Sequence, residues 1–148
     1  MTKFFLAGII QGSMQGPAIH SQDYRTHIKE VLLRHVPDAE VYCPIEHHPN
    51  SLDYEDAHAC DVFLKHTAMA GDADVLVAFL PEASMGTAVE MWEAHHRERI
   101  VLTVTPMAAN WTVKFLSTRV FPDLEAFERF VIDGELARLI ASRSETTE

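Results

Sequence analysis

Asp72-Ala73-Asp74-Val75-Leu76-Val77-Ala78-Phe79-Leu80-Pro81-Glu82-Ala83-Ser84-Met85-Gly86-Thr87-Ala88-Val89-Glu90 runs from an unbroken apolar segment into a Ser/Gly turn and on into a helical pattern. An apolar run without alternation, as at Val75 to Leu80, is the mark of a strand buried on both faces. In an open α/β sheet, ligands collect outside the carboxyl ends of such strands, where a helix N-terminus offers unpaired backbone N–H groups to an anion. Ser84 is placed as the N-cap or as a donor to an anionic oxygen, Gly86 lets a ligand approach the backbone, and Thr87 stands in the first turn. Glu90 follows about one and a half turns beyond the cap, near enough to face the same cleft.

Outward from this segment, similar apolar runs occur at Phe4 to Ile10 and Ile100 to Val104, with a shorter one near Val41. Helical spacing fills the intervals. Gln22 to His35 places Tyr24, Ile28, Val31, Leu32 and His35 on one stripe, and Pro37 ends it. Asp53 to Ala70 forms a second helix with Tyr54, Ala57, Val62, Leu64 and Met69 as core candidates, and Met85 to His96 a third. In the third, Met85, Ala88, Val89 and Trp92 make the expected core stripe, with Glu90 off to one side. Further on, Trp111 to Leu116 reads as a short helix, Val120-Phe121 as an extended piece, and Pro122 as the first-turn proline of a helix that Asp133-Gly134 breaks. The β-α-β order predicts a flavodoxin-like, Rossmann-like, doubly wound α/β domain with a mainly parallel sheet of about five strands, covering residues 1–141. Residues 142–148 read as a frayed polar tail.

A chain of 148 residues suffices for one core, burying about 68–70% of its unfolded surface. Twelve basic against 22 acidic residues, a formal charge of −10, oppose binding to nucleic-acid polymers or an anionic membrane surface. Cys43 and Cys60 have neither metal-type spacing nor a disulfide framework, so reduced thiols and a cytoplasmic location are expected. The apolar run after Lys3 is short and lacks a cleavage pattern, which argues against a signal peptide. Nine histidines raise the question of a metal, but His47-His48 and His95-His96 are adjacent pairs that point apart, and His58 and His66 lie two turns apart; no metal and no cofactor are expected. Gln11, Gly12, Ser13 and Gly16, with Gly8 before them, form a polar loop on the ligand side of the sheet, suited to sugar or phosphate contacts and unlike a dinucleotide fingerprint.

Ala73-Asp74, Ala78, Ser84, Gly86-Thr87 and Glu90, together with the Phe5 to Gly12 opening and Glu46-His47 after the second strand, resemble the nucleoside 2-deoxyribosyltransferase family and its nucleoside 5′-monophosphate N-hydrolase branch. The resemblance runs from about Lys3 to Phe130. It implies cleavage of an N-glycosidic bond, with Glu90 at the nucleophile position; a carboxylate there would attack the anomeric carbon as in retaining glycosidases. Six residues earlier the transferases carry Asp and the monophosphate hydrolases a Ser that contacts phosphate. Here the residue is Ser84, which favours a nucleotide, because an Asp would repel a phosphate dianion.

Two positions depart from the family. His66 stands where the hydrolases have an active-site Asp, and Asp61, roughly 140° around the helix, does not replace it. Phe5 stands where many members have Tyr, leaving ribose and deoxyribose undistinguished. His66 has two readings, a helix residue or a general acid or hydrogen-bond donor to the leaving base. Asp74 reads first as a turn-closing acid and second as catalytic, and His47 as a substrate contact or a packing residue. By resemblance, Asn110 and Ser117 would reach a neighbouring subunit's site in a homodimer; local capping is the alternative. Three functions stay open: nucleotide hydrolysis, base exchange between nucleosides, and a nucleotide-binding module without turnover. The cytokinin-activating phosphoribohydrolases share Gly-Thr-x-x-Glu, but their Pro-Gly-Gly-x-Gly-Thr string is replaced here by Glu82 to Thr87.

Overall fold

The computed structural model describes residues 1–10 and 21–146. Gln11, Gly12, Ser13 and Gly16 lie outside the described residues. Five strands, β1 (Thr2–Gly8), β2 (Ala39–Tyr42), β3 (Val75–Phe79), β4 (Ile100–Val104) and β5 (Arg119–Phe121), form one all-parallel sheet in the order β2-β1-β3-β4-β5. This is the expected flavodoxin-like arrangement. The order reverses direction between β1 and β3, whose registered pairs run from Phe4–Val75 to Gly8–Phe79, so the two strands end level. A crevice opens at that reversal, outside the carboxyl ends.

Unbroken apolar runs serve a sheet covered on both sides. Phe4, Leu6, Val75, Val77 and Leu102 pack on one face with Ile28, Leu32 and Phe127, while Phe5, Ala7, Leu76, Ala78 and Val101 pack on the other with Met91, Ala94 and Val113. Helices α1 (Asp23–His35), α6 (Leu124–Ile132) and α7 (Glu135–Thr146) supply the first layer. Helices α3 (Asp56–Asp72), α4 (Met85–His96) and α5 (Trp111–Leu116) supply the second; α2 is a single turn at Pro44–His47. Among the described residues no helix is long and apolar enough to cross a membrane.

Four expectations change. The second helix starts at Asp56, after a 3-10 turn at Ser51–Asp53, and buries Val62, Ala70 and Gly71 while Leu64 and Ala57 are exposed. Pro122 precedes α6 instead of opening it. Asp123 is the cap, its Oδ1 accepting from the Ala126 N–H at 2.8 Å. The last helix continues through Ser142 to Thr146, and the hydroxyls of Ser142, Ser144 and Thr146 donate back to carbonyls three or four residues earlier.

The fourth change decides the site. Helix α4 is rotated relative to its most apolar stripe: Thr87, Met91 and Ala94 are buried, while Met85, Val89 and Trp92 are exposed. Positions 87, 91 and 94 share one helix face, and Glu90 lies on it, three residues after Thr87 and four before Ala94. Met91 and Ala94 pack with the sheet residues Leu76, Ala78 and Val101, while on the neighbouring stripe Glu93 and Arg97 meet α3 at Gly71, where a Cβ would crowd both side chains.

Candidate functional site

The crevice between β1 and β3 is a cavity of about 510 Å³, walled by the end of β1, the first turns of α4, the face of α3 and the segment from Pro44 to Tyr54. Its lining is mostly aliphatic, including Leu6, Leu52, Val62, Phe63, Met85 and Val89. Glu90 projects into this setting. The residue as a whole is half-buried, yet its carboxyl oxygen Oε2 is buried and has no hydrogen-bond partner among the described residues. Burial pushes the Glu90 pKa up to about 8, with the Arg25 charge pulling the other way. A buried carboxyl with an unpartnered oxygen and a raised pKa, lining a cavity, makes Glu90 the first candidate for a functional group.

Ser84 is the N-cap of α4, as expected. Its Oγ accepts from the Thr87 N–H at 3.3 Å and lies 2.9 Å from Thr87 Oγ1. Both residues line the cavity, as does Gly86, where a Cβ would meet no other atom. The mouth of α4 therefore presents hydroxyls and helix-end N–H groups to whatever occupies the crevice.

His66 reaches the opposite wall from α3. Its Nε2 lies 3.1 Å from the Tyr42 hydroxyl, and its ring meets His48 edge-on at 5.2 Å between centroids. His48 Nδ1 is in turn 2.9 Å from the Tyr54 hydroxyl. Burial, then the neighbouring charges of His48 and Lys65, lower the His66 pKa to about 4, while burial raises that of Tyr42. At neutral pH both are uncharged. The tyrosine O–H can donate to Nε2, which would leave the imidazole proton on Nδ1.

Arg25 was not foreseen. It is 3% exposed, and its guanidinium donates from Nη1 to the Leu6 carbonyl at 3.0 Å, from Nη2 to the Gly8 carbonyl at 3.2 Å and from Nε to Gln22 Oε1 at 2.7 Å. It thereby ties α1 to the carboxyl end of β1. The sequence carried a signal: Arg25, Ile28 and Leu32 have i, i+3, i+7 spacing, so a cation stands on the apolar face of the helix. His48 and Tyr54 were likewise missed as cavity residues. Gly8 lines the cavity because a Cβ there would run into the Tyr24 hydroxyl, which donates to the Ile9 carbonyl at 3.3 Å. Burial raises the Tyr24 pKa to about 12, so that donor stays protonated.

Other expected site residues stand elsewhere. Asp74 precedes β3, at the end of the sheet opposite the cavity, and its Oδ2 accepts from the Lys3 N–H at 2.8 Å; it clasps two strands and does not line the cavity. His47 stacks on Tyr42 at 4.5 Å, nearly parallel, and does not line the cavity, whereas the next residue, His48, does. Phe5 is 1% exposed and also lies behind the wall, stacking on Tyr42 and meeting His66 edge-on. A buried β1 side chain of that face is covered by α3, so it supports the wall instead of touching ligand. Asn110 caps α5, its Oδ1 accepting from the Thr112 and Val113 N–H groups. Ser117 Oγ lies 2.7 Å from Thr103 Oγ1. Neither lines this chain's cavity. Among the described residues, no group of three or more His, Cys, Asp or Glu is arranged to hold a metal ion.

No protein-family model matches the chain, and no curated protein does. Solved structures do resemble it. A 2-deoxyribosyltransferase from Bacillus psychrosaccharolyticus superposes with a TM-score of 0.64 at 17% identity, covering 86% of this chain and 90% of that one. A conserved protein from Enterococcus faecalis V583 gives a TM-score of 0.63 at 19% identity, over 91% of this chain and 99% of that one. At these identities the likeness is one of fold: the chain shares the α/β architecture of a 2-deoxyribosyltransferase.

Proposed function

We propose that the protein cleaves the N-glycosidic bond of a nucleoside 5′-monophosphate, with Glu90 as nucleophile. The observation that carries this reading is the partnerless, buried Oε2 of Glu90 in the crevice beside the capped end of α4. In the reaction, a Glu90 carboxylate oxygen bonds to C1′ as the C1′–N bond breaks, and that electron pair leaves with the base nitrogen. Water then attacks C1′ as the C1′–O bond to Glu90 breaks, restoring the carboxylate, and the proton that the water loses ends on the departed base nitrogen, so that sugar phosphate and neutral free base are released. Uncharged His66, oriented by Tyr42, donates a hydrogen bond to the departing base; with a pKa near 4 it is no reservoir of ionised acid at pH 7. The fold shared with a 2-deoxyribosyltransferase supports the reaction class. Base exchange is the second reading. The aliphatic walls favour it, because they would keep water from a glycosyl-enzyme.

Ser84 separates nucleotide from nucleoside. Parent protein is expected to release base from a monophosphate in preference to the matched nucleoside, measured as the ratio of kcat/KM values by chromatography of free base. Aspartate caps helices as well as serine does, so Ser84→Asp should fold normally while setting a carboxylate against the phosphate and flattening or reversing that ratio. Ser84→Ala should weaken the preference by about 1.5–3 kcal/mol, the range for a hydrogen bond to a charged group. An unchanged ratio in Ser84→Asp would remove the phosphate from this position.

The same reading extends to assembly as a homodimer. Trp92, Trp111 and Phe115 are 54%, 76% and 58% exposed on α4 and α5, next to Asn110 and Ser117. Aromatic exposure of this kind suits an interface. Light scattering is expected to give twice the chain mass, falling toward the monomer in Trp111→Glu; a monomeric parent at assay concentration would refute it.

A further inference from the structure

We infer that Arg25 is the positioning residue that favours the ionised form of Glu90 for the reaction proposed above. Arg25 is the one charged residue that is buried among the described residues, and it lines the same cavity as Glu90. Among the described residues no carboxylate lies within ion-pair distance of it; its donors go to the carbonyls of Leu6 and Gly8, to Gln22 and, at 3.9 Å, to the Cys43 sulfur. A buried cation satisfied by neutral acceptors keeps its charge uncompensated. Glu90, which lines the same cavity, has a carboxyl oxygen without a hydrogen-bond partner among the described residues. The two opposite charges therefore see each other through a low-dielectric space, where a Coulomb interaction reaches farther than it does in water.

Among the described residues, Arg25 is the cation whose charge acts on Glu90. Tyr24 on α1 is protonated and donates to a carbonyl, His66 on α3 is uncharged, and His48 is bonded to Tyr54. Farther along α4, Glu93 pairs with Arg97, which also takes Asp72 from α3. Lys114 on α5 lies over the Phe115 ring, and Lys3 of β1 stands at the other end of the sheet. The fixed backbone clamp matters because it prevents Arg25 from closing onto Glu90 and blocking the nucleophile. The guanidinium supplies a field while the carboxylate oxygens remain free for C1′.

The test is the ionisation of Glu90 itself, read by carbon NMR on protein carrying carboxyl-labelled glutamate, with the Glu90 signal assigned by its loss in Glu90→Gln. Arg25→Gln removes the charge but keeps an amide donor for the β1 carbonyls, and its Glu90 should titrate at least about one pH unit higher than in the parent, a tenfold smaller ionised fraction near neutrality. Arg25→Lys keeps the charge and should titrate close to the parent. In catalysis, Arg25→Gln should lose kcat at pH 7 and recover it at pH 9, with KM little changed. Unchanged Glu90 titration in Arg25→Gln would overturn the inference. If that variant does not fold, Arg25→Lys alone decides, since an upward move of a full pH unit there would contradict a role for charge. The titration needs no substrate, so it stands or falls separately from nucleotide cleavage.

Discussion

Glu90→Gln is expected to abolish base release, with kcat falling by a factor of roughly 1,000 or more, because an amide neither bonds to C1′ nor stabilises developing positive charge. The same change should stabilise the fold at alkaline pH. A carboxyl whose folded pKa is raised from 4.5 to about 8 contributes stability that is present below pH 4.5 and is lost as pH rises through 8, because the unfolded chain releases that proton first. The loss amounts to roughly 4 kcal/mol. Denaturant titrations at pH 5 and pH 8.5 should show a decline in the parent that Glu90→Gln lacks. A variant that is inactive and shows the parent's pH dependence would mean that Glu90 is not the buried titrating group.

The second large effect is the pH dependence of turnover. If only ionised Glu90 attacks, kcat/KM should rise roughly eightfold between pH 6.5 and 7.5 and level off above about pH 9. His66, lowered to about 4, contributes no limb in that window. Its own linkage has the opposite sign: the stability it supports is present above pH 6.5 and is lost as pH falls toward 4, where the unfolded chain takes up the proton first. A profile that is flat from pH 6 to 8, measured with substrate well below KM, would contradict the assignment of an elevated carboxyl pKa to the nucleophile.

The strands and their parallel order were legible because doubly buried strands have no polar face to obscure the pattern, as at Val75 to Phe79 and Ile100 to Val104. The orientation of α4 was not. Hydrophobicity selects Met85, Val89 and Trp92, but the sheet takes Met91 and Ala94 and α3 meets Glu93 and Arg97 at Gly71, and this turns Glu90 inward. The cap at Ser84 could be read from residue type alone, since its acceptor is needed locally. His48, Tyr54 and Tyr42 could not, because they converge on His66 only through tertiary packing of the segment after β2 against α3. Asp74 misleads for the opposite reason: a polar residue at a strand start meets a local backbone need that carries no information about the ligand end. Arg25 was visible as a cation in an apolar stripe, but its meaning depended on knowing that the carboxyl end of β1 lies beside it.

The central claim is that Glu90 forms the bond to the sugar, and the most direct measurement is mass spectrometry of protein incubated with a 2′-fluorinated nucleoside 5′-monophosphate. An electron-withdrawing fluorine slows both formation and breakdown of the glycosyl-enzyme, because both pass through oxocarbenium-like transition states, and a base that leaves well restores the first step alone, so the glycosyl-enzyme should accumulate. The account predicts one added sugar phosphate per chain, located by peptide mapping at Glu90 and absent from Glu90→Gln. An adduct on another residue, or base release from Glu90→Gln at the parent's rate, would contradict it.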